Sequence, residues 1–227
     1  MSLHAQVDHP VVLATSLEQG VRWCEDTLGL TPGPGGQHAL MGTHNRLFKI
    51  ASERYPQAYF EIIAIDPQAP APARRRWFDM DDAAVQQQLA DDGPQLLHFV
   101  ARVSSIDHAL AAWQQMAIER GAAVQAARQT PGGLLQWQIS VRDDGARLFD
   151  GCLPTLIEWG GIHPTLSMPE VGIELLELQM IHPQAKVLSQ AFQTIGLHGV
   201  AVNSGPAQLR ARLATPRGVL ELGSPVR

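Results

Sequence analysis

Two histidines and two glutamates lie inside apolar, strand-like segments of the sequence. His9 and His98 each precede a helical pattern, and Glu61 and Glu158 lie within the runs Tyr-Phe-Glu-Ile-Ile and Leu-Ile-Glu-Trp. A carboxylate is seldom fully buried without a cation, a metal ion or hydrogen-bond donors. Imidazoles and carboxylates together suit a divalent ion such as Zn, Fe, Mn, Ni or Co. The four residues therefore predict a site for one divalent metal ion.

The strength of this prediction comes from repetition, because the four residues are too far apart for a local metal motif. His9 and Glu61 are separated by 52 residues (61 − 9), and His98 and Glu158 by 60 (158 − 98). The two separations differ by the length of a loop, so each half of the chain offers one His and one Glu at an equivalent place. Taken singly, a strand histidine is most often a hydrogen-bonded core residue, and a strand glutamate an edge or ion-pair residue.

Three further histidines are candidates for the wall of a pocket. His38 and His44 are six residues apart and would share a face on one strand, although Gly42 between them favours a loop. His163 follows Glu158 closely and precedes a proline, which is typical of a turn. We expect all three to lie near a pocket or to pack as turn residues.

Composition and motifs exclude several other classes of function. A net charge of -5 argues against nucleic acid or an anionic membrane as a partner, and no apolar run is long enough to span a bilayer. We therefore expect a cytoplasmic protein. The sequence has no Gly-x-Ser-x-Gly elbow, no phosphate-binding Gly-x-x-x-x-Gly-Lys-Ser/Thr loop and no His-Glu-x-x-His helix. The only basic run, 74–76, follows several prolines and is typical of a solvated linker, with a weak alternative as an anion site.

The elements that would position the four residues follow a repeated order. Alternating apolar patterns, serine helix starts and glycine stops predict β-α-β-β-β units at 5–66 and 95–164, joined by a connector at 67–94. A third unit of the same order is predicted at 170–223, where the counterpart of His9 is Leu176. The fold class is therefore α+β, with two units that supply metal ligands and a third that does not.

The segments around these residues resemble the vicinal oxygen chelate superfamily, and specifically its glyoxalase-like branch. Val7–Leu13 and Leu97–Val103 resemble the two opening strands of that family, and Glu61 and Glu158 match its strand glutamates. The resemblance covers residues 7 to about 160. It implies paired βαβββ modules that curl into a half-barrel around one metal ion. The segment Gly42-Thr43-His44-Asn45 is similar to a glyoxalase-like group of bacterial proteins with a C-terminal extension.

The resemblance implies an enzyme that chelates adjacent oxygens of a small substrate, as a lyase, an isomerase or a dioxygenase. One metal-bound glutamate would also carry a proton, a role expected for Glu158 with Glu61 as the other possibility. The alternative is a binding protein of the bleomycin-resistance type that sequesters a small molecule without chemistry. A metal ion at the four residues favours the enzyme. A cleft lined by Trp and Phe, with His9 and Glu61 bonded to each other, favours the binding protein. The third unit could support a homodimer.

Overall fold

The computed structural model describes residues 3–130 and 133–227. In these residues, twelve strands form an eight-stranded and a four-stranded sheet, and four α-helices pack on them. The larger sheet curls into a half-barrel with the order β2-β3-β4-β1-β5-β8-β7-β6. The predicted α+β class with a half-barrel cleft is therefore confirmed.

The first unit contains one helix that begins and ends at residues recognisable in the sequence. Ser16 accepts a hydrogen bond from the Gln19 N–H at the start of the helix, and Gly29 ends it with a φ of 73°. The elements are β1 (Ala5–Leu13), α1 (Leu17–Leu28), β2 (Gln37–His38), β3 (Thr43–Lys49) and β4 (Tyr59–Ile65).

The second unit repeats this order, and Ser105 begins its helix as Ser16 does in the first. Its elements are β5 (Gln95–Val103), α3 (Ile106–Gln114), β6 (Ala122–Thr130), β7 (Gly133–Val141) and β8 (Thr155–Trp159). β1 and β5 pair antiparallel at the centre of the sheet, and each also pairs in parallel with the last strand of its own unit. The two units therefore meet through their first strands.

The connector covers part of the inner face of the half-barrel. It contains α2 (Ala83–Asp92), and the aromatic pair Trp77 and Phe78 packs with α2 against inward-facing residues of the sheet. Arg74 pairs with Asp143, and Arg76 pairs with Asp81. Both arginines are thus held by acidic residues, which agrees with a surface role for the basic run.

The third unit has the predicted order of elements but pairs its strands differently. Its first strand lies between its second and third strands, whereas the first strands of the other units pair with the last. The unit packs on the outer face, where the indole N–H of Trp113 donates to the Ala191 carbonyl at 2.8 Å. Its elements are β9 (Glu174–Ile181), α4 (Ala185–Thr194), β10 (Val200–Asn203), β11 (Gln208–Thr215) and β12 (Gly218–Gly223).

The buried apolar side chains form two clusters on opposite faces of the half-barrel. The larger cluster joins the outer face to α1, α3 and the third unit, and it contains both cysteines, Cys24 and Cys152. The smaller cluster fills the inner face beneath the connector. Over residues 3–130 and 133–227, no helix has both the length and the apolar character needed to cross a membrane.

Candidate functional site

A cavity lies on the inner face of the half-barrel, with walls from both units and from the connector. It encloses about 500 Å³ of empty space with its mouth included, and the centre of a water-sized molecule can reach about 40 Å³ of it. Five aromatic side chains form much of the wall: Tyr59, Trp77, Phe78, Trp137 and Trp159. As it stands the cavity has room for a few waters, so a larger ligand requires its wall to open.

A bulge in β1 builds the polar floor of this cavity. Val7 pairs with Ala101 and His9 pairs with Val100, which leaves Asp8 without a partner on β5. Neighbouring strand residues normally point to opposite faces, but a bulge re-aims one of them. Here the Asp8 carboxylate reaches the imidazole of His9, with Oδ1 and Nδ1 2.6 Å apart.

The chain of polar groups continues from His9 to Glu61. Nε2 of His9 lies 3.4 Å from Oε2 of Glu61, and both side chains are buried. β1 and β4 run parallel with Val11 opposite Glu61, so these strands bring the two groups together. The Tyr59 ring stacks on the His9 ring at 4.3 Å between centroids. Asp8, His9 and Glu61 therefore form a buried, linear arrangement of acid, imidazole and acid.

Asp8 is held by three donors from two units. Besides His9, its carboxylate binds Nε2 of His163 at 3.0 Å and the indole N–H of Trp159, also at 3.0 Å. Its side chain is fully buried. His163 and Trp159 follow Glu158 in sequence, so the end of the second unit locks the acid that orients His9.

The second oxygen of Glu61 is held by Asn45. The Asn45 amide donates to Oε1 of Glu61 at 2.6 Å, and its own oxygen accepts the Gly36 N–H at 2.8 Å. Because a backbone N–H can only donate, the orientation of the amide is fixed by Gly36. Asn45 also lies 3.3 Å from Nε2 of His38. Glu61 thus has one oxygen on an imidazole and one on an amide.

The charges in this chain follow from burial and from these contacts. Burial alone would lower the pKa of His9, but Asp8 and Glu61 outweigh it and raise that pKa to about 9. Burial would raise the pKa of Glu61, but His9 and its other donors hold it below its ordinary value. The pKa of Asp8 is lowered despite burial by its bonds to His163 and His9. At neutral pH an imidazolium therefore lies between two carboxylates.

His38 borders the cavity as a neutral imidazole. Burial lowers its pKa to about 4, although the charge of Glu61 opposes this shift. His44 lies on the neighbouring strand and does not line the cavity; its Nδ1 is 3.9 Å from Asp66. The two histidines do not share a face because a turn separates them, with His38 opposite Thr43 on paired strands. Of the three predicted pocket histidines, His38 lines the cavity and His163 supports it from behind through Asp8.

A cation from the second unit reaches across the cavity. Arg128 of β6 lines the cavity together with His9 and Glu61. Its Nε and Nη1 are buried and have no hydrogen-bond partner among the described residues. The guanidinium packs against Gly36, where any Cβ would overlap it. The indole nitrogen of Trp77, on the same cavity wall, is also buried without a partner.

His98 lies in a different environment from His9. It is fully buried, and the Phe78 ring packs on it at 4.9 Å between centroids, so Phe78 lines the cavity in its place. Nδ1 of His98 lies 3.1 Å from the Gly151 carbonyl, and Nε2 accepts the Thr155 N–H at 3.2 Å. Burial and the nearby Arg120 lower its pKa well below 6.5. His98 is thus a neutral core histidine whose two ring nitrogens are both engaged.

Glu158 lies on the opposite side of the sheet from Glu61. Its neighbours Ile157 and Trp159 belong to the inner cluster, and Leu156 belongs to the outer one, so Glu158 faces outward with Leu156. There Oε2 of Glu158 accepts the N–H of Ile106, the first residue of α3, at 2.7 Å. Glu158 therefore binds a helix start.

The four predicted metal ligands do not fit one metal ion in this arrangement. His9 and Glu61 adjoin, but both nitrogens of His98 are bonded elsewhere and Glu158 lies on the other face. Across residues 3–130 and 133–227, no group of three or more His, Cys, Asp and Glu side chains is placed to hold a metal ion. The predicted set is thus divided into a cavity pair and two residues with other bonds.

The site also contains residues that the fold brings in from a distance and that no sequence motif marks. Asp8 joins the site only because of the bulge, and Pro10 two residues later is a usable signal, since proline in a central strand favours a bulge. Arg128 comes from a hairpin of the other unit, and no local pattern marks it.

The chain is similar to known proteins in sequence and in fold. The sequence profile described as glyoxalase-like domain matches residues 7–196. A hypothetical protein from Staphylococcus aureus has a similar structure, with a TM-score of 0.59 and 14% identity over 97% of this chain and 88% of that one. No curated protein matches the sequence.

Two methylmalonyl-CoA epimerase structures are more distant. The Streptomyces coelicolor enzyme, in complex with 2-nitronate-propionyl-CoA, has a TM-score of 0.44 and 15% identity over 71% of this chain and 99% of its own. The Mycobacterium tuberculosis enzyme has a TM-score of 0.39 and 14% identity, over 71% and 90%.

Proposed function

The chain belongs to the glyoxalase-like domain family of the vicinal oxygen chelate superfamily, and we propose that it is an enzyme that moves a proton on a small carbonyl substrate. The observation that carries this proposal is the buried chain Asp8, His9 and Glu61 at the floor of the cavity. A lyase or an isomerase of this kind needs a base at a carbon next to a carbonyl group and a donor for the developing oxyanion.

In this proposal Glu61 takes the proton and His9 donates to the substrate oxygen. Both line the cavity, and a substrate engages them by replacing their mutual contact, which at 3.4 Å is long for a hydrogen bond. Asp8 keeps the imidazole charged and oriented, and Asn45 holds the second oxygen of Glu61. A base whose pKa is lowered acts best on an acidic C–H, so the preferred substrates have a proton activated by an adjacent carbonyl.

A second candidate function is binding without chemistry. The five aromatic side chains of the wall suit a planar ligand. The direct contact between His9 and Glu61 also favours it, because the two groups then bind each other rather than a substrate. The two candidates share the cavity and differ in whether a proton leaves the ligand.

Deuterium exchange separates the two candidates. The full chain is incubated in D₂O with 2-oxo acids and with thiol adducts of α-ketoaldehydes, and loss of the C–H signal is followed by NMR. We expect exchange above the uncatalysed rate, and a loss of about a hundredfold or more in His9→Gln, because a positioned acid or base contributes about 10² to 10⁴. His44→Gln, which alters an imidazole outside the cavity, is the matched control.

The same assay tests the role of a metal ion. Because His98 and Glu158 are bonded elsewhere, we expect the exchange rate to remain unchanged after treatment with a chelator and after addition of Zn, Mn or Ni. A rate that depends on added metal would restore the four-ligand hypothesis. Ligands that bind by calorimetry but show no exchange would instead establish the binding protein.

A further inference from the structure

An unpaired guanidinium faces the cavity in which the proton would move. We propose that Arg128 recognises an anionic group of the ligand, and that the ligand of this cavity is therefore a carboxylate whose activated C–H faces Glu61. This inference rests on the proposed function for the second half of that statement only. Recognition of an anion by Arg128 stands independently of chemistry.

The Arg128 guanidinium lacks a polar partner among the described residues. Seven arginines among the described residues form an ion pair with an acidic side chain, as Arg147 does with Asp79 at 2.8 Å. Arg128 has no such partner among the described residues, and its Nε and Nη1 are removed from water without a hydrogen bond. A buried donor without a hydrogen-bond partner costs free energy, and a charged guanidinium costs more than a neutral donor. A ligand that supplied two oxygens would remove that cost.

Arg128 lies where a bound anion would direct the rest of the ligand toward His9 and Glu61. It lies on the cavity wall with His9, Glu61 and Trp77, so an anion at the guanidinium would place the rest of the ligand toward the acid–imidazole pair. The unpaired indole N–H of Trp77 is a second donor on that wall. A planar guanidinium binds a carboxylate through two parallel hydrogen bonds, which also fixes the orientation of the bound molecule.

Gly36 and Asn45 link the Arg128 guanidinium to Glu61. Gly36 leaves the space that the guanidinium occupies, and the Gly36 N–H is held by Asn45, whose amide also binds Glu61. The same asparagine therefore ties the base to the loop that supports the cation. The distance between the anion site and the base is thus set by Asn45 and Gly36 together.

Matched neutral and anionic probes test this proposal. Binding of 2-oxobutyrate and 2-oxobutyramide, and of mandelate and mandelamide, is measured by calorimetry on the full chain. We expect each carboxylate to bind at least tenfold more tightly than its amide, since charge-assisted hydrogen bonds are about twice as strong as neutral ones. Arg128→Gln should abolish this preference, and Arg128→Lys should retain part of it.

Two further variants keep the test independent of folding and of catalysis. Arg46→Gln removes the same charge from an exposed position on β3, outside the cavity, and should leave the preference unchanged. Gly36→Ala leaves Arg128 in the sequence but displaces its guanidinium, and should weaken carboxylate binding without changing amide binding.

The outcomes separate this inference from the proposed function. Equal binding of carboxylate and amide by the unaltered protein, or binding of neither, overturns the role of Arg128. A preference that survives Arg128→Gln overturns it as well. A preference that depends on Arg128 without any deuterium exchange supports the anion site and contradicts the proton-transfer enzyme. Deuterium exchange without a preference for carboxylates supports the proton-transfer enzyme and contradicts the anion site.

Discussion

The two halves of the half-barrel contain the same pair of residue types and use them differently. In the first half, His9 and Glu61 adjoin at the floor of the cavity, and His9 has a raised pKa. In the second half, His98 is a neutral core residue and Glu158 binds the start of α3 on the outer face. A repeat of sequence pattern therefore does not imply a repeat of chemistry.

Strand pairing explains the difference. His9 and His98 are 89 residues apart (98 − 9), as are Val11 and Val100 (100 − 11). Val11 lies opposite Glu61, and Val100 lies opposite Thr155. The counterpart of Glu61 is thus Thr155, and Glu158 is three positions further along. An odd number of positions along a strand moves a side chain to the other face.

The largest expected effect of this asymmetry is on deuterium exchange. We expect Glu61→Gln to lower the exchange rate by about 10² to 10⁴, because the amide cannot accept the proton. Glu158→Gln makes the same chemical change on the outer face and should change the rate by less than about twofold. A substitution far from the cavity that shares no partner with its residues acts independently of them. Rates are measured by NMR under identical conditions. A comparable loss in both variants would mean that the two halves share one site after all.

The second effect is on stability and falls on the other half. His98→Ala removes a fully buried ring and leaves the N–H of Thr155 and the guanidinium of Arg120 with one partner fewer. We expect the free energy of unfolding to fall by about 2 to 4 kcal/mol in urea denaturation. His44→Ala, at a half-buried position without a close polar contact, should cost within about 0.5 kcal/mol. A small loss in His98→Ala would place that histidine outside the core.

The sequence was sufficient to predict the fold class and the placement of His9 beside Glu61. Apolar alternation, the serine caps at Ser16 and Ser105 and the glycine stop at Gly29 are local signals, and they defined both β-α-β-β-β units. The proximity of His9 and Glu61 follows from the parallel pairing of the first and last strands within one unit. These features depend on contacts between neighbouring elements, which local patterns determine well.

The rest of the site depends on details that local patterns do not determine. Glu158 lies three positions beyond Thr155, the counterpart of Glu61, and the difference of eight residues between the two His-to-Glu separations does not reveal that mismatch. Asp8 requires a bulge, and Arg128 requires the packing of one unit's hairpin against the other unit's loop. Repetition of residue types was therefore a weaker guide than the strand register.

The third effect is a difference in pH dependence between the two histidines. The pKa of His9 is raised from 6.5 to about 9, so the folded state holds a proton that the unfolded state loses between pH 6.5 and 9. Stability from His9 is therefore complete below pH 6.5 and lost as the pH rises to about 9, on the order of 3 kcal/mol. His98 has a lowered pKa, so the unfolded state binds the extra proton and stability falls as the pH drops below 6.5.

Urea denaturation across pH 5 to 9 measures this difference. The stability of the unaltered protein relative to His9→Gln should decrease with rising pH above 6.5, and relative to His98→Gln it should decrease with falling pH below 6.5. Parallel curves for the two variants would show that the two imidazoles have similar environments, and would contradict the asymmetry between the halves.

The smallest effect concerns Glu158 at the start of α3. Its carboxylate accepts the Ile106 N–H at 2.7 Å, next to the Ser105 cap. An acid at a helix start binds a free N–H and also interacts favourably with the helix dipole. We expect Glu158→Ala to lower the free energy of unfolding by about 1 kcal/mol, as for loss of a helix cap. Glu158→Gln should cost less than half of that, because its amide oxygen can still accept the bond. Equal losses in the two variants would show that charge alone matters there, and no loss in either would mean that Glu158 does not stabilise α3.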